Sequence, residues 1–410
     1  MGNEWREATL GEFVRLQRGH DLTAEERKPG DYPVMGSAGP NGTHGEFIAH
    51  GPGVVIGRSG ASMGKVHFTP HDYWPHNTCL YVTDFLGKDP RFVFYLLGLL
   101  DLAAYNSGSA QPSLNRNYIY TKPVRFPLPA EQRAIAHVLG TLDDKIELNR
   151  RMNRTLEKMA AAIFKSWFID FDPVHAKAQG RDTGLPADIA DLFPDAFADS
   201  ELGEIPEGWT VGPLTRIATL QTRTVQPGER PDTLWEHYSI PAFDEGRVPK
   251  WERGDTIKSG KYAVPPGSVL ASKLNPQFPR VWLPEISDAT VAICSTEFMP
   301  FVPTDEKRRP YLYELIKSPK VQEEIRTRVS GSTGSRQRAK PKDIAVMPVL
   351  VPRPEVITAF CGVVDELHKK LLACRRNSLS LARTRDRLLP KLLSGEIELP
   401  AAEAVAEGAK

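Results

Sequence analysis

The longest uninterrupted helical pattern in the chain is EQRAIAHVLGTLDDKIELNRRMNRTLEKMAAAIFKSW, from Glu131 to Trp167. Its apolar residues recur every three or four positions, as in a helix that packs along another helix. As a helix, these 37 residues span about 55 Å. We expect Asn149, a polar residue within the apolar seam, to set the register. The predicted seam consists of Ile135, Val138, Leu142, Asn149, Met152 and Leu156.

A second long helical pattern follows Pro352, and Pro390 is expected to kink or end it. Neither apolar stripe can face water along its whole length. Each stripe could pack on its own domain, or the two could pack on one another, and the length of the seam favours mutual packing. The second half of the predicted seam consists of Phe360, Val364, Leu367, Leu371 and Leu381.

The chain also shows an internal duplication. The segment that begins at Trp5 returns 204 positions later at Trp209, and the loop NSGSAQ (106–111) has a counterpart in VSGSTG (329–334). A proline, Pro129 or Pro352, precedes each long helical pattern. Between these markers, short β-rich runs alternate with a few helices, without the regular βαβ alternation of a doubly wound sheet. The sequence therefore predicts an α+β fold with two similar halves.

Composition restricts the class of protein. The 410 residues carry 52 Lys+Arg and 51 Asp+Glu, a net charge of +1, which excludes a uniformly basic nucleic-acid coat but not local patches. The four cysteines are scattered, so we expect a reducing cytosol and neither a disulfide framework nor a structural zinc site. No apolar run approaches the 18 residues of a membrane span.

Charge is nevertheless segregated along the chain. The stretch 181–207 carries eight acids and one base and contains three prolines, which indicates a solvated connector with a short amphipathic piece at 189–193. The stretch 307–342 carries eleven bases and three acids. Most of that charge is typical of a solvated helix face, but SGSTGSRQR (330–338) is a flexible loop rich in hydroxyls and side-chain donors.

Arginine and glutamine suit base edges in the major groove, and hydroxyls suit phosphates. The loop 330–338 and its counterpart 106–117 are therefore predicted DNA contacts. Two Gly-, Asn- or Pro-containing turns at 57–65 and 273–280 are further candidates, although a purely structural turn is as well supported. The predicted DNA-binding residues are Arg58, Ser59, Lys65, Ser107, Ser109, Gln111, Asn115, Arg116, Lys273, Asn275, Arg280, Ser332, Thr333, Arg336, Gln337 and Arg338.

Signals for catalysis or metal binding are weak. The motif NPQF (275–278) is similar to the NPPF loop of amino-methyltransferases, but its third residue differs and no Gly-rich cofactor loop follows a strand upstream. His67, His71, His76 and Cys79 lack the regular spacing of a zinc site. We predict no catalytic residue and no metal in this chain, and we favour a recognition role.

Four segments together give a specific resemblance. They are LPAEQRAIA (128–136), AIFKSWFIDF (162–171), ELGEIPEGW (201–209) and LLPKLLSGEI (388–397). With them, the chain resembles the specificity subunits of Type I restriction–modification enzymes over nearly its whole length. The second half departs from the pattern at PRPEV (352–356), where the Pro…Glu-Gln signature is degraded.

The resemblance implies two target-recognition domains that each read half of a split DNA site, separated by two long helices packed as an antiparallel coiled coil. It implies docking of two modification subunits and, in systems that cleave DNA, two restriction subunits. S-adenosylmethionine, ATP and Mg would then be bound by those partners and not by this chain, in the cytoplasm of a bacterium or archaeon. The predicted boundaries are 1–129 and 208–352 for the recognition domains, 130–170 and 353–393 for the helices, 171–207 for an acidic linker and 394–410 for a tail.

Two other functions stay open at this point. One is a diverged DNA methyltransferase that uses NPQF, which would bind S-adenosylmethionine itself. The other is a scaffold whose duplicated domains bind proteins instead of DNA.

Overall fold

The structure, a computed structural model, describes residues 5–108, 111–330 and 337–408. The strands are β1 (Arg6–Thr9), β2 (Arg15–Arg18), β3 (Tyr32–Gly36), β4 (Gly39–His44), β5 (Gly53–Gly57), β6 (Val66–Thr69), β7 (Trp74–Pro75), β8 (Cys79–Asp84), β9 (Pro123–Phe126), β10 (Phe197–Ala198), β11 (Ile205–Pro206), β12 (Thr210–Pro213), β13 (Ala218–Leu220), β14 (Thr224–Val225), β15 (Leu234–Tyr238), β16 (Lys250–Arg253), β17 (Lys261–Ala263), β18 (Val269–Ser272), β19 (Val281–Trp282), β20 (Ala292–Cys294), β21 (Phe298–Pro303), β22 (Val329–Ser330), β23 (Arg338–Ala339) and β24 (Pro348–Val351). The helices are α1 (Leu10–Phe13), α2 (Pro90–Leu99), α3 (Arg116–Ile119), α4 (Pro129–Phe168), α5 (Asp172–Ala178), α6 (Ala187–Ala190), α7 (Ile240–Asp244), α8 (Arg309–Lys317), α9 (Pro319–Thr327), α10 (Pro341–Ala345), α11 (Pro354–Ser394) and α12 (Leu399–Gly408).

The chain divides into two compact units, and each contains part of both long helices. The first unit comprises residues 1–150 and 375–410, and the second comprises residues 151–374. The predicted α+β class is confirmed, because short strands and helices are mixed in each unit.

The internal duplication is visible in the strand order of the two units. The first unit has a four-stranded sheet in the order β2-β8-β5-β6, and the second has one in the order β13-β21-β18-β19. In each unit a separate pair, β1-β9 or β12-β24, joins the entry strand to the strand that precedes the long helix. The second sheets differ, since the first unit has the three strands β4-β3-β7 and the second has five, β14-β17-β20-β15-β16. The two additional strands of this sheet make the strand-rich part of the second half longer than that of the first half.

Local sequence explains the main elements. All five residues of β5, GVVIG, are buried, which suits β-branched side chains in a central strand. The Asp89 carboxylate caps α2 by accepting hydrogen bonds from the Arg91 and Phe92 amides, and Pro90 occupies the first turn. The stretch after β21 forms two helices, α8 and α9, because Ser318 caps a new helix between them.

The first unit joins the N-terminal part of α4 to the C-terminal part of α11 in antiparallel orientation. The Asn149 Nδ2 donates to the Asn377 Oδ1 at 2.8 Å, and Arg385 pairs with Asp143 at 2.5 Å. Apolar residues on both helices, including Leu142 and Leu381, are buried in the core of this unit. In the second unit, Phe164 and Phe168 of α4 pack on Phe360 of α11, with ring centroids 5.8 and 5.1 Å apart.

The buried side chains of α4 fall into two series along the helix. The prediction placed one series correctly and the other one residue too early. Ile135, Leu142, Asn149 and Leu156 are buried, and so is Val138. The second buried series, however, is Leu139, Ile146, Ala160 and Trp167, which lies one residue further on than predicted. Met152 is 40% exposed and therefore lies outside the buried seam. On α11, Phe360, Val364, Leu371 and Leu381 are buried and Leu367 is half-buried.

Each body of strands is attached to its long helices by a polar cluster beside the apolar contacts. In the first unit, the Arg91 guanidinium on α2 contacts both oxygens of Asp144 at 2.9 and 2.5 Å, and the Tyr95 hydroxyl donates to Asp143 at 2.6 Å. In the second unit, Glu314 of α8 lies 2.9 Å from the buried His368 of α11. These contacts hold each sheet in a fixed orientation on its own helix segments.

Three segments differ from the prediction. The stretch 171–207, expected to be a solvated connector, folds into α5, α6 and the β10-β11 pair, because Phe193 is buried against Trp167 and Trp209. The helix α11 continues through Pro390 to Ser394. The tail forms α12, whose Ala402 is buried in the first unit.

Candidate functional site

The candidate site of the first unit is built around the turn that joins β5 to β6. The Gly57 amide donates to the Lys65 carbonyl at 2.8 Å and closes this β5–β6 hairpin. The Arg58 amide donates to the Thr78 carbonyl at 2.9 Å, and the Arg58 carbonyl accepts from the Leu114 amide at 2.8 Å. The main chain at Arg58 is therefore held on both sides, and its side chain starts from a fixed point at the end of a buried strand.

The second unit repeats this arrangement in the turn that joins β18 to β19. The Ser272 amide donates to the Arg280 carbonyl at 2.9 Å and closes the β18–β19 hairpin. The Lys273 amide donates to the Glu297 carbonyl, and the Lys273 carbonyl accepts from the Ala339 amide, both at 2.9 Å. These three hydrogen bonds match those of the first unit one for one.

The tips of the two hairpins match as well. Gly60 and Asn275 lie 215 positions apart and both adopt a positive φ, 77° and 47°, a conformation that glycine and asparagine accept most readily. The Gly60 amide donates to the Pro112 carbonyl at 3.1 Å, and the Asn275 amide donates to the Gln337 carbonyl at 2.9 Å. The duplication therefore places a basic residue, Arg58 or Lys273, at the same structural position in each unit.

In the first unit, the predicted contacts at Arg58, Ser107, Asn115 and Arg116 line one open groove of about 700 Å³. The sequence separates these residues by as many as 58 positions, and the hydrogen bonds at the Arg58 main chain bring them together. The whole groove is lined by Gln17, Arg18, Gly19, His20, Asp21, Arg58, Leu80, Ser107, Ser113, Leu114, Asn115 and Arg116.

The segment after β2 forms one wall of this groove and was not predicted. It contributes Gln17, Arg18, His20 and Asp21, whose proximity to Arg58 depends on the pairing of β2 with β8. One sequence signal lies in this segment, because Gln17 recurs as Gln221 at the same offset of 204 that relates Trp5 to Trp209. Position within that pattern does not indicate a role in binding.

Two arginines of the groove, Arg58 and Arg116, use only part of their hydrogen-bonding capacity in their contacts with main-chain carbonyls. The Arg58 Nε donates to the Asn77 carbonyl at 3.2 Å, and the Arg116 Nη1 donates to the Leu16 carbonyl at 2.9 Å. These neutral partners orient each guanidinium without cancelling its charge, and a guanidinium has five N–H donors. Such a preoriented arginine suits an anionic or base-edge ligand.

In the second unit, by contrast, the two arginines near the hairpin, Arg280 and Arg338, lie in ion pairs. Arg338 makes a two-pronged contact with Glu297 at 2.8 and 3.0 Å, and this carboxylate raises the pKa of the Arg338 guanidinium. Arg280 contacts both oxygens of Asp244 at 2.7 and 2.9 Å. Lys273, Asn275, Gln337 and Arg338 are adjacent through the main-chain contacts of the hairpin.

The remaining predicted residues lie at varied places. Ser59 pairs with Ser113 beside the groove, and Gln111 is exposed in the loop before it. Lys65 is exposed on the opposite arm of the hairpin, where it lines a different cavity with Asp143. Four predicted contacts lie outside the described residues: Ser109, Ser332, Thr333 and Arg336.

The motif NPQF (275–278) forms the tip of the β18–β19 hairpin. The Phe278 amide donates to the Asn275 carbonyl at 2.9 Å, just as the Met63 amide donates to the Gly60 carbonyl at 3.0 Å in the first unit. The same turn thus forms from GASM (60–63), which lacks the methyltransferase-like residues. The structure therefore explains NPQF as a hairpin turn.

The histidines near β6 and β8 have individual contacts. His67 lies 3.2 Å from the Ser37 carbonyl, and burial lowers its pKa. His76 lies 2.9 Å from the Thr78 hydroxyl, and burial raises the pKa of the Cys79 thiol to about 12. Within 5–108, 111–330 and 337–408, no group of three or more His, Cys, Asp or Glu residues could hold a metal ion. No helix in this part of the chain is both long enough and apolar enough to cross a membrane.

Comparison with known proteins agrees with this architecture. Residues 2–158 match the family model described as Type I restriction modification DNA specificity domain. The HindI specificity subunit of Haemophilus influenzae is 27% identical over 376 residues, covering 75% of this chain and 77% of the relative. The MjaIX specificity subunit of Methanocaldococcus jannaschii is 25% identical, covering 76% and 70%.

A solved structure shares the fold. The S subunit of the Type I restriction–modification system from M. genitalium superposes with a TM-score of 0.60 at 18% identity, covering 95% of this chain and 96% of that one. Like the duplicated α+β units and their paired helices, these matches point to one family. The chain is similar to the specificity subunits of Type I restriction–modification systems.

Proposed function

We propose that this chain is the non-catalytic DNA-recognition subunit of a Type I restriction–modification complex and that each unit reads one half of a bipartite duplex target. The observation that carries the proposal is the duplicated hairpin. Matched main-chain hydrogen bonds present Arg58 in one unit and Lys273 in the other at equivalent positions. A bipartite target requires two such readers, and a duplicated chain supplies them.

The two readers are expected to differ in how they use charge. The first groove presents Arg58 and Arg116 with neutral partners, so it favours phosphate and guanine contacts. In the second unit, Glu297 and Asp244 must exchange their arginine partners, or share them, when DNA binds. Different side chains in the same structural position give each half-site its own sequence.

The long helices are proposed to link the readers and to dock the partner subunits. Since α4 and α11 each supply residues to both units, we propose that they set the number of unread base pairs between the half-sites. We further propose that they dock two modification subunits, and two restriction subunits in systems that cleave DNA. S-adenosylmethionine, ATP and Mg are assigned to those partners, and the complex is assigned to the cytoplasm, where the genomic DNA lies.

The proposal is tested with the chain assembled with its modification subunits. Duplexes selected from a random library by this complex should share a bipartite motif, and the same motif should carry methylated adenine in the host genome. If the library yields no motif, or yields one continuous motif, the proposed two-reader function is wrong.

A matched pair of variants then tests the groove. Arg58→Ala should weaken binding and, if the lost contact is to a base, cost about 1–3 kcal/mol at one base position of one half-site. Arg125→Ala is the control, because Arg125 lies in the separate β1-β9 pair and stacks over Trp5 at 5.4 Å. Equal binding of selected duplexes by the two variants would contradict the assignment of Arg58.

A further inference from the structure

The tip of the β18–β19 hairpin exposes a large aromatic side chain. Phe278 is 59% exposed, and its neighbours Gln277 and Pro279 are exposed as well. Pro276, in contrast, is buried and anchors the turn to the unit. A single exposed apolar residue is common on protein surfaces, so the case for a role depends on how this one is held and what surrounds it.

The turn holds Phe278 rigidly. Its amide donates to the Asn275 carbonyl at 2.9 Å, and prolines at 276 and 279 fix the backbone on both sides. Arg280, which follows Pro279, is held to α7 by its two-pronged contact with Asp244. An aromatic ring presented on a fixed backbone loses little conformational entropy when it binds a ligand.

The equivalent position in the first unit is arranged differently. Met63 occupies the same place in the β5–β6 hairpin, but it is half-buried and packs against the core of its unit. The second hairpin thus leaves its apolar tip residue in water where the first turns it inward. The exposed ring is a property of one reader and not of the duplicated fold.

The surroundings of Phe278 select the class of ligand. Lys273, Gln337 and Arg338 lie on the same hairpin platform, next to the turn that carries the ring. An apolar face bordered by cations and amide groups suits a base with its adjoining phosphates, because a base offers a flat apolar surface and the phosphates offer negative charge. An apolar protein partner would have to desolvate Lys273 and the Arg338–Glu297 pair.

We propose that Phe278 is a stacking residue of the second reader: on binding, its ring lies against a base of the second half-site and unstacks one base step. This inference rests on the proposed function. It adds a contact whose free energy depends on how easily the DNA is deformed at that step. It predicts a preference for a flexible pyrimidine–purine step at that position. It also predicts that the two half-sites are distorted unequally.

The test uses the assembled complex and duplexes selected by the wild-type protein, with 2-aminopurine placed at successive positions of the second half-site. Its fluorescence rises when a neighbouring base no longer stacks on it. We expect the wild type to raise the signal at one step and Phe278→Ala to abolish that rise. Affinity should fall roughly 5- to 150-fold, the equivalent of one stacked base. Phe278→Trp should retain both effects.

Trp251→Ala is the matched control, since Trp251 is 49% exposed but lies on β16 of the five-stranded sheet. If wild-type complex selects no DNA motif, the proposed function fails. If the wild type binds its motif and Phe278→Ala binds it equally well with the same fluorescence profile, only the stacking role fails. A loss of modification subunits from the Phe278→Ala complex would assign the ring to a protein contact and would also overturn the inference.

Discussion

At the scale of single residues, the two readers have the same backbone arrangement but different charges around the basic residue of the hairpin. Lys273 accompanies an Arg338–Glu297 pair, whereas the equivalent surroundings of Arg58 offer neutral carbonyl partners. The backbone position of Glu297 matches that of Thr78, because each carbonyl accepts from the basic residue of its hairpin. Thus the second reader carries a built-in carboxylate where the first has a hydroxyl. We expect this carboxylate to compete with DNA phosphates for Arg338.

Replacing Glu297 with Gln should therefore strengthen binding to random duplex DNA. The change releases Arg338 from a carboxylate and removes a negative charge from the surface, so the plot of log affinity against log salt concentration should steepen by about 0.9 for one additional phosphate contact. The measurement is a binding titration over a salt series. Glu245→Gln, which breaks the pair between Glu245 and Lys250, is the control. An unchanged salt slope in Glu297→Gln would show that Arg338 does not reach a phosphate.

A second residue-scale prediction concerns pH. Burial lowers the pKa of His67 below its usual value of 6.5. The unfolded chain therefore binds more protons near that pH, and His67 contributes stability that is present above pH 6.5 and is lost as the pH falls through the folded-state pKa. His67→Gln should show a shallower loss of unfolding free energy between pH 7.5 and 5.5, measured by urea denaturation.

His237 serves as an internal reference for that experiment. Its pKa is also lowered by burial, so it contributes a slope of the same sign in the second unit, and it is present in both proteins. The difference between wild type and His67→Gln therefore isolates His67. Identical slopes would mean that the His67 ring is as hydrated in the folded protein as in the unfolded chain.

At the scale of elements, the sequence predicts both long helices almost to the residue, because a pattern of apolar residues over ten turns outweighs local uncertainty. The prediction placed one of the two apolar series of α4 one residue too early. Apolar residues in a heptad pattern alternate between spacings of three and four, so two neighbouring positions can both fit the pattern. Leu139, Ile146 and Trp167 in the sequence already favoured the observed series. Pro390 does not end the second helix, since α11 accommodates it at an exposed position.

Two leucines of α4 test the corrected seam. Leu139 is fully buried in the core of the first unit, and Leu148 on the same helix and in the same unit is 52% exposed. Leu139→Ala should lower the free energy of unfolding by about 2–5 kcal/mol, whereas Leu148→Ala should change it by about 0.5 kcal/mol or less. Urea denaturation followed by circular dichroism measures both. Equal losses would contradict the observed orientation of the helix.

At the scale of the whole molecule, the duplication was predictable and the groove was not. The order of tryptophan, loop, proline and helix repeats along the chain, so two similar halves follow from the sequence alone. The groove depends on β2 pairing with β8 and on main-chain contacts between 58 and 114, which no local pattern encodes. The five-stranded sheet escaped prediction for the same reason, since its strands are two to five residues long.

The composition of the units predicts how truncation acts. Residues 375–410 belong to the first unit, where Leu381, Leu388 and Leu392 are buried in its core. A chain ending at residue 374 should therefore leave the first unit open to proteases and the second resistant. Limited proteolysis with mass spectrometry measures this, and a chain ending at residue 398, which lacks only α12, is the milder comparison. Equal resistance of both units at 374 would contradict the division.

The same division has a consequence for biosynthesis. A ribosome makes residues 1–150 before residues 375–410, yet both segments belong to the first unit. The second unit is continuous in the chain and can reach its native state while the N-terminal segment still waits for its missing helix. We therefore expect the half that is translated earlier to complete its fold later, when the C-terminal part of α11 becomes available to cover its apolar core.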